Sequence, residues 1–96
     1  MNTWEHTMQF EWDREKEKRN TRKHRTTFEE AVTVFYDPLS ATFNDPDHSV
    51  REHRYITIDF SSHGRLLVVS YTERGKIIRI ISARPATAPE RKRHEN

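Results

Sequence analysis

Cysteine is absent from this chain, and glycine occurs only at Gly64 and Gly75. Without cysteine there is no disulfide framework, no thiolate metal site and no thiol nucleophile. Two glycines cannot build the phosphate-cradling loop of a P-loop protein or a dinucleotide fingerprint. No apolar run is long enough for a signal peptide or a membrane span, so a cytoplasmic protein with no membrane partner is expected. His6, His48, His53 and His63 show no metal-ligand spacing, and neither a metal nor another cofactor is expected. Internal repeats and low-complexity linkers are also missing.

What is present is charge. The 96 residues fit one domain, and their formal net charge of +2 conceals a strong segregation. Arg14, Lys16, Lys18, Arg19, Arg22, Lys23 and Arg25 form an early basic block. Arg74, Lys76, Arg79, Arg84, Arg91, Lys92 and Arg93 form a late one. Between them Glu29, Glu30, Asp37, Asp45, Asp47, Glu52 and Asp59 make an acidic stretch opposed by Arg51 and Arg54. Two readings stay open: basic blocks that converge into a patch for a polyanion, with salt-sensitive affinity, or two solvated helix faces.

Residues 1–7 read as an extension before Met8, itself an alternative start, and 8–96 as a single domain. Gln9 to Trp12 suits a short strand, and Asp13 an N-cap for a helix through about His24. No apolar side chain lies between Asp13 and Thr27, so this helix lacks the stripe that normally docks a helix on a core. Its ends, its Arg and Lys stems, or a partner must hold it. Thr27 to Glu30 has capping-box spacing, and Phe28, Ala31, Val32 and Phe35 give the next helix an apolar face as far as Pro38. Ala41 to Asn44 suits a short strand, with turn chemistry at Asp45-Pro46-Asp47. Ile56, Ile58 and Phe60 alternate with Tyr55, Thr57 and Asp59, suggesting one face on the core and one wetter face.

Leu66 to Thr72 and Lys76 to Arg84 read as a hairpin closed at Glu73-Arg74-Gly75-Lys76. A two-residue loop at Arg74-Gly75 would place Ser70 opposite Arg79, and a three-residue loop would shift the pairing by one. The last of these strands is apolar on both faces, as in a central strand, with Ile77 and Ile81 sharing the side of Arg79. A guanidinium there needs a partner, either a carboxylate such as Glu52, Asp59 or Glu90, or a bound phosphate. Thr87 to Glu90 is a second capping box, opening a short basic helix.

Several segments in order resemble one family: Phe10-Glu11-Trp12-Asp13, Lys23-His24, Phe28-Glu29-Glu30-Ala31, Asp45-Pro46-Asp47-His48, Tyr71-Thr72-Glu73-Arg74-Gly75, and Arg79-Ile80-Ile81-Ser82-Ala83-Arg84 followed by Ala86 and Glu90. Together they resemble the BrnT toxins of bacterial type II toxin-antitoxin systems, over nearly everything from Met8 onward. The resemblance implies a compact α+β fold similar to the RelE-type ribonucleases, with N-terminal helices packed on a mainly antiparallel sheet and a short C-terminal helix. It also implies RNA cleavage that inhibits translation and growth, and neutralisation by a BrnA-type antitoxin that itself binds operator DNA. This chain departs from the pattern at Arg25 and Arg51, where the family commonly has glycine. It departs also at Pro85, where lysine is usual, and at His94, where tyrosine is usual. A positive φ at Arg25 or Arg51 would be strained.

Cleaving RNA without a metal needs a base for the 2′-hydroxyl, cations for the phosphorane-like transition state, and an acid for the leaving 5′-oxygen. Arg79 and Arg84 are the first candidates for the phosphate. On an unbroken strand they face opposite sides, so a bulge near Ser82, or a strand end there, is required. The plainer alternatives are an ion pair for Arg79 and an ordinary surface arginine for Arg84. His24, in the Lys-His pair, is the candidate for proton transfer, with Lys23, Arg54, Arg74 and Arg91 assisting RNA binding. A histidine in a last helical turn is also favoured by the dipole alone. Glu52 and His94 are further acid or base candidates, with an ion pair and a solvated side chain as their plainer readings. Trp4, Trp12 and Tyr71 raise base stacking, against core packing for Trp12. The substrate is then RNA, free or on the ribosome, with operator DNA reached only through the antitoxin. The competing reading is a weakened or inactive homologue that binds antitoxin or nucleic acid.

Overall fold

The computed structural model describes residues 8–37, 41–44 and 53–95. The extension with Trp4, Pro38, the Asp45-Pro46-Asp47 turn, Arg51 and Glu52 lie outside these residues. Along the chain come β1 (Gln9–Glu11), α1 (Arg14–His24) and α2 (Phe28–Val32), which tightens into a 3-10 turn at Thr33–Tyr36. Then follow β2 (Ala41–Asn44), β3 (Arg54–Phe60), β4 (Leu66–Arg74), β5 (Ile77–Pro85) and α3 (Ala88–Glu95). The five strands form one sheet in the order β1-β5-β4-β3-β2. β1 runs parallel to β5 and the other pairs are antiparallel, which gives the expected α+β architecture. The central strand is β4, and the isoleucine-rich β5 lies one place in from the edge because β1 adds beyond it.

α1 forms although it carries no apolar side chain. Asp13 caps it, accepting from the N–H groups of Glu15 and Lys16 at 2.8 and 3.0 Å. Glu15 and Glu17 sit in its first turn and Arg22, Lys23 and His24 in its last, each sign suiting the helix dipole. The side facing the fold is a polar stripe of Glu17, Asn20, Thr21 and His24, at the i, i+3, i+4, i+7 spacing usually filled by hydrocarbon. Asn20 is 8% exposed. Its Nδ2 donates to the carbonyls of Thr26 (2.9 Å) and Ala83 (2.7 Å), and its Oδ1 accepts from the Ala83 N–H at 3.1 Å. The amide thus pairs with β5 as another strand would, beyond the point where β1 ends. Glu17 ties the helix to both neighbours, accepting from Trp12 Nε1 at 3.2 Å and the Phe28 N–H at 3.1 Å. The helix ends at Arg25, which takes the left-handed conformation (φ 52°) that favours glycine.

Thr27 caps α2 by accepting from the Glu30 N–H at 3.0 Å. Glu30 does not complete a capping box with Thr27, because its buried carboxylate is engaged elsewhere. It accepts from Ser61 Oγ at 2.6 Å and Arg65 Nε at 3.0 Å, pinning α2 to the β3–β4 turn. The Arg65 hydrogen bonds hold this carboxyl below its ordinary range.

The main core lies on one face of the sheet. There Phe28, Ala31 and Val34 pack on Leu67, Val69, Tyr71, Ile78, Ile80 and Ala83. The opposite face carries a smaller cluster of Leu66, Val68 and Ala86 with Ile56 and Ile58. The two faces expected of β3 divide between these clusters. Thr57 and Asp59 are buried on the helix-covered face with Tyr55, whereas Phe60, on the other face, is 52% exposed. Burial, with the Asp37 carboxyl beside it, pushes the Asp59 carboxyl up.

The β4–β5 hairpin turns at Gly75-Lys76, with Arg74 opposite Ile77. Gly75 has φ 61°, at the first loop position, where a type II′ turn requires glycine. Neither anticipated register applies, and Thr72 rather than Ser70 faces Arg79. Further along, Ile80 pairs with Tyr71 and Ser82 with Ser70, so Ile81 is the extra residue of a β-bulge.

Candidate nucleic-acid interface

The bulge decides where the arginines point. Arg79 faces Thr72 and Arg84 faces Val68, and Thr72 and Val68 lie on the same side of β4. Arg79 and Arg84 therefore share the face opposite the main core, and Ile81 no longer belongs to a regular row with Arg79. Arg54 pairs with Thr72 from the other side, and Arg74 lies one step further along. Arg54, Thr72, Arg79 and Glu11 thus form a row across β3, β4, β5 and β1. The partners of Arg79 and Arg84 stand four positions apart on β4, placing the two backbones about 14 Å apart. That spacing suits neighbouring phosphates of one strand better than a single phosphate.

Both arginines are paired. Arg79, 31% exposed, donates from Nη1 to Glu11 Oε2 at 2.7 Å, a carboxylate other than the Asp59 and Glu90 considered for it, while Glu52 lies outside the described residues. Glu90 instead holds Arg84 in a two-point pair, Nη1 to Oε1 at 2.7 Å and Nη2 to Oε2 at 2.9 Å. Arg84 is accordingly not an ordinary surface arginine. Glu90 also completes the capping box of α3, accepting from the Thr87 N–H at 2.8 Å while its own N–H donates to Thr87 Oγ1 at 3.3 Å. These bonds, Arg84 foremost, bring the Glu90 carboxyl down to about 2.

His24 is half-buried on the inward stripe of α1. Burial, reinforced by the charges of Lys23 and Arg84, lowers its pKa. The imidazole is therefore neutral at pH 7 and able to accept a proton close to Arg84. Lys23 is exposed in the same helical turn, and Arg74 is exposed beside the β4–β5 turn. Arg91 folds back, its Nη1 donating to the Ala86 carbonyl at 3.1 Å. His94, one turn beyond Glu90, packs edge-on against Phe60 with ring centroids 5.7 Å apart. Its ring is therefore not simply solvated.

The aromatic candidates separate. Tyr71 is buried and stacked on Tyr55 at 5.5 Å, which removes it from any role in base stacking. Trp12 packs edge-on against Phe28 at 6.0 Å, the core role expected for it. Sequence reasoning did not find Glu11 as a site residue, because its meeting with Arg79 depends on the parallel pairing of segments far apart in the chain. For Glu90 the capping-box spacing was a usable signal. Thr72, at the centre of the arginine row, lies in the Tyr71-to-Gly75 segment of the resemblance, which gave it no role of its own.

Comparison with known proteins agrees with this architecture. The sequence model of the family described as "Ribonuclease toxin, BrnT, of type II toxin-antitoxin system" matches residues 12–90. A search of curated proteins returns no match. Among solved structures, the chain is similar to the Brucella abortus ribonuclease toxin BrnT, at 21% sequence identity and a TM-score of 0.67. The match covers 84% of this chain and 99% of that one, and it establishes a shared fold. With the family match extending from Trp12 to Glu90, this chain belongs to the BrnT family of ribonuclease toxins of type II toxin-antitoxin systems.

Proposed function

We propose that this chain is an endoribonuclease toxin that cleaves RNA without a metal, inhibits translation and growth, and is neutralised by a BrnA-type antitoxin. The observation that carries this reading is the Ile81 bulge, which sets Arg79 and Arg84 on one sheet face together with Arg54 and Arg74. In the proposed reaction His24 takes the 2′-hydroxyl proton, and the 2′-oxygen attacks the adjacent phosphorus. The bond to the 5′-oxygen breaks, leaving a 2′,3′-cyclic phosphate and a 5′-hydroxyl. Arg84 and Arg79 stabilise the phosphorane-like charge and the neighbouring phosphate. Lys23, Arg54 and Arg74 guide the strand, while Arg91 first has to leave the Ala86 carbonyl. His94 is the candidate acid for the leaving oxygen. Each arginine must also exchange a carboxylate for a phosphate, so substrate binding competes with the Glu11 and Glu90 pairs. Arg54, Arg74, Arg79 and Arg84 give this face the charge for RNA, free or on the ribosome. Operator DNA is reached only through the antitoxin, and the charge and sequence suit a cytoplasmic role.

The second reading, a homologue that binds antitoxin without cleaving, draws on the two-point engagement of Arg84 by Glu90. One experiment separates the two. The chain and its Arg84→Ala and His24→Ala variants are expressed in bacteria at matched folded levels, following growth and RNA integrity, and purified protein is assayed with RNA in the presence of a chelator. The nuclease reading expects growth arrest, chelator-resistant cleavage, and a loss of about a hundredfold to a thousandfold in rate when one arginine is removed. Intact RNA with the parent protein, both alone and with ribosomes, refutes it.

A further inference from the structure

Among the described residues, two buried side-chain atoms lack a hydrogen-bond partner: Asp59 Oδ2 and Thr72 Oγ1. Asp59 lies on the helix-covered face beside Asp37. Thr72 lies on the opposite face, in the arginine row. It is 4% exposed, and its cross-strand neighbours are Arg54 on β3 and Arg79 on β5. Buried hydroxyls in folded proteins are almost always paired, so an orphan between two guanidinium-bearing positions requires an explanation. A valine would fill the same space and suit a strand as well, without an unpaired polar atom.

The chemistry around the hydroxyl defines what would pair with it. Directly opposed residues stand about 5 Å apart on neighbouring strands, so the two arginines flank Thr72 at short range. Ser70 and Ser82 face each other two residues along on the same side, adding hydroxyl donors. Glu11 holds the Arg79 guanidinium toward β1, on the side away from Thr72. With Arg79 turned from Glu11, a tetrahedral oxyanion between the two arginines would meet N–H donors from both sides and a hydroxyl donor from below.

We propose that Thr72 is a substrate-binding residue, its hydroxyl donating to a non-bridging oxygen of an RNA phosphodiester held between Arg54 and Arg79. This inference rests on reading the arginine face as the RNA site. Thr72 takes no part in proton transfer, and Glu11 acts only as a positioning residue for Arg79.

The test compares Thr72→Val, which removes the hydroxyl and keeps the shape, with Thr72→Ser, which restores it. Binding is measured with a short single-stranded oligonucleotide made uncleavable by 2′-deoxy residues, turnover with its ribo counterpart, and folding by thermal melting. Thr72→Val is expected to melt no lower than the parent, to bind about tenfold to a hundredfold more weakly, and to show a raised KM, with Thr72→Ser close to the parent. Unchanged binding and KM in Thr72→Val overturn the inference and leave the nuclease reading standing. Hydroxyl-dependent binding with no cleavage by the parent keeps the phosphate site and refutes the nuclease. Loss of affinity for an acidic peptide, with oligonucleotide binding intact, assigns the hydroxyl to a carboxylate partner and also overturns it. Titration of the parent with inorganic phosphate, followed by NMR at the Thr72 methyl, decides the matter should the valine variant fail to fold. A shift that saturates supports the site, and no shift refutes it.

Discussion

Replacing Arg25 by glycine should stabilise this protein. Arg25 closes α1 with φ 52° and ψ 39°, and its N–H donates to the Thr21 carbonyl at 2.8 Å. An L-residue held in this region pays about 1–2 kcal/mol, because Cβ crowds the following carbonyl. Glycine escapes that penalty but loses about 0.4–1 kcal/mol through the greater freedom of the unfolded chain. The difference is a gain of about 0.5–1 kcal/mol, or about 3–6 °C in Tm for a domain of this size. No contact of the backbone is sacrificed: Arg65 Nη2 donates to the Arg25 carbonyl at 3.1 Å, a bond that glycine retains. Urea unfolding of the parent, Arg25→Gly and Arg25→Ala isolates the cause, since alanine removes the charged side chain but keeps Cβ. Glycine should gain and alanine should not. Equal gains would trace the effect to charge repulsion with Arg22 and Lys23, and no gain from glycine would refute the strain argument.

Asn20→Ala should cost about 2–4 kcal/mol, because it strips the Ala83 peptide of its partner on α1 and leaves the Thr26 carbonyl only its longer bond from Thr21 Oγ1 at 3.4 Å. Hydrogen exchange at the Ala83 amide should accelerate with it, and protection unchanged from the parent would contradict the edge-pairing role. Glu90 titrates at about 2 in the folded chain against 4.5 for an unperturbed glutamate. Its stabilisation is complete above pH 4.5 and is lost as pH falls toward 2, so Glu90→Gln should unfold less steeply with acid than the parent. The imidazole of His24, followed by NMR, should titrate below 6.5. It should shift upward in Arg84→Ala while staying depressed by burial, and an unmoved value would separate the two side chains.

Much of the fold was legible because local rules act within a few residues. Asp13, Thr27 and Thr87 all cap helices, as their spacing indicated, and the strand segments fall where their patterns placed them. The failures lie where distant segments decide the outcome. Alternation along β3 showed two distinct faces but not which would meet the helices, and α2 covers the side with Thr57 and Asp59. The hairpin sequence allowed several registers, and the observed one follows from placing Gly75 first in its loop. The need for a bulge near Ser82 was readable from the odd spacing of Arg79 and Arg84. Its occurrence at Ile81, and the pairing of Arg79 with Glu11, depend on the assembled sheet.

The polar stripe under α1 bears on how this protein responds to temperature. Detaching a helix docked by hydrocarbon exposes apolar surface and raises the heat capacity, and that kind of grip weakens on cooling. Detaching α1 would instead expose the amide of Asn20, the carboxylate of Glu17 and the peptide groups they bind, all polar surface that lowers the heat capacity. The hold on α1 should therefore persist in the cold, while the isoleucine and valine core beneath it loses strength. His24 and Lys23 travel with that helix, so their seating beside Arg84 has a temperature dependence different from that of the sheet carrying the arginines.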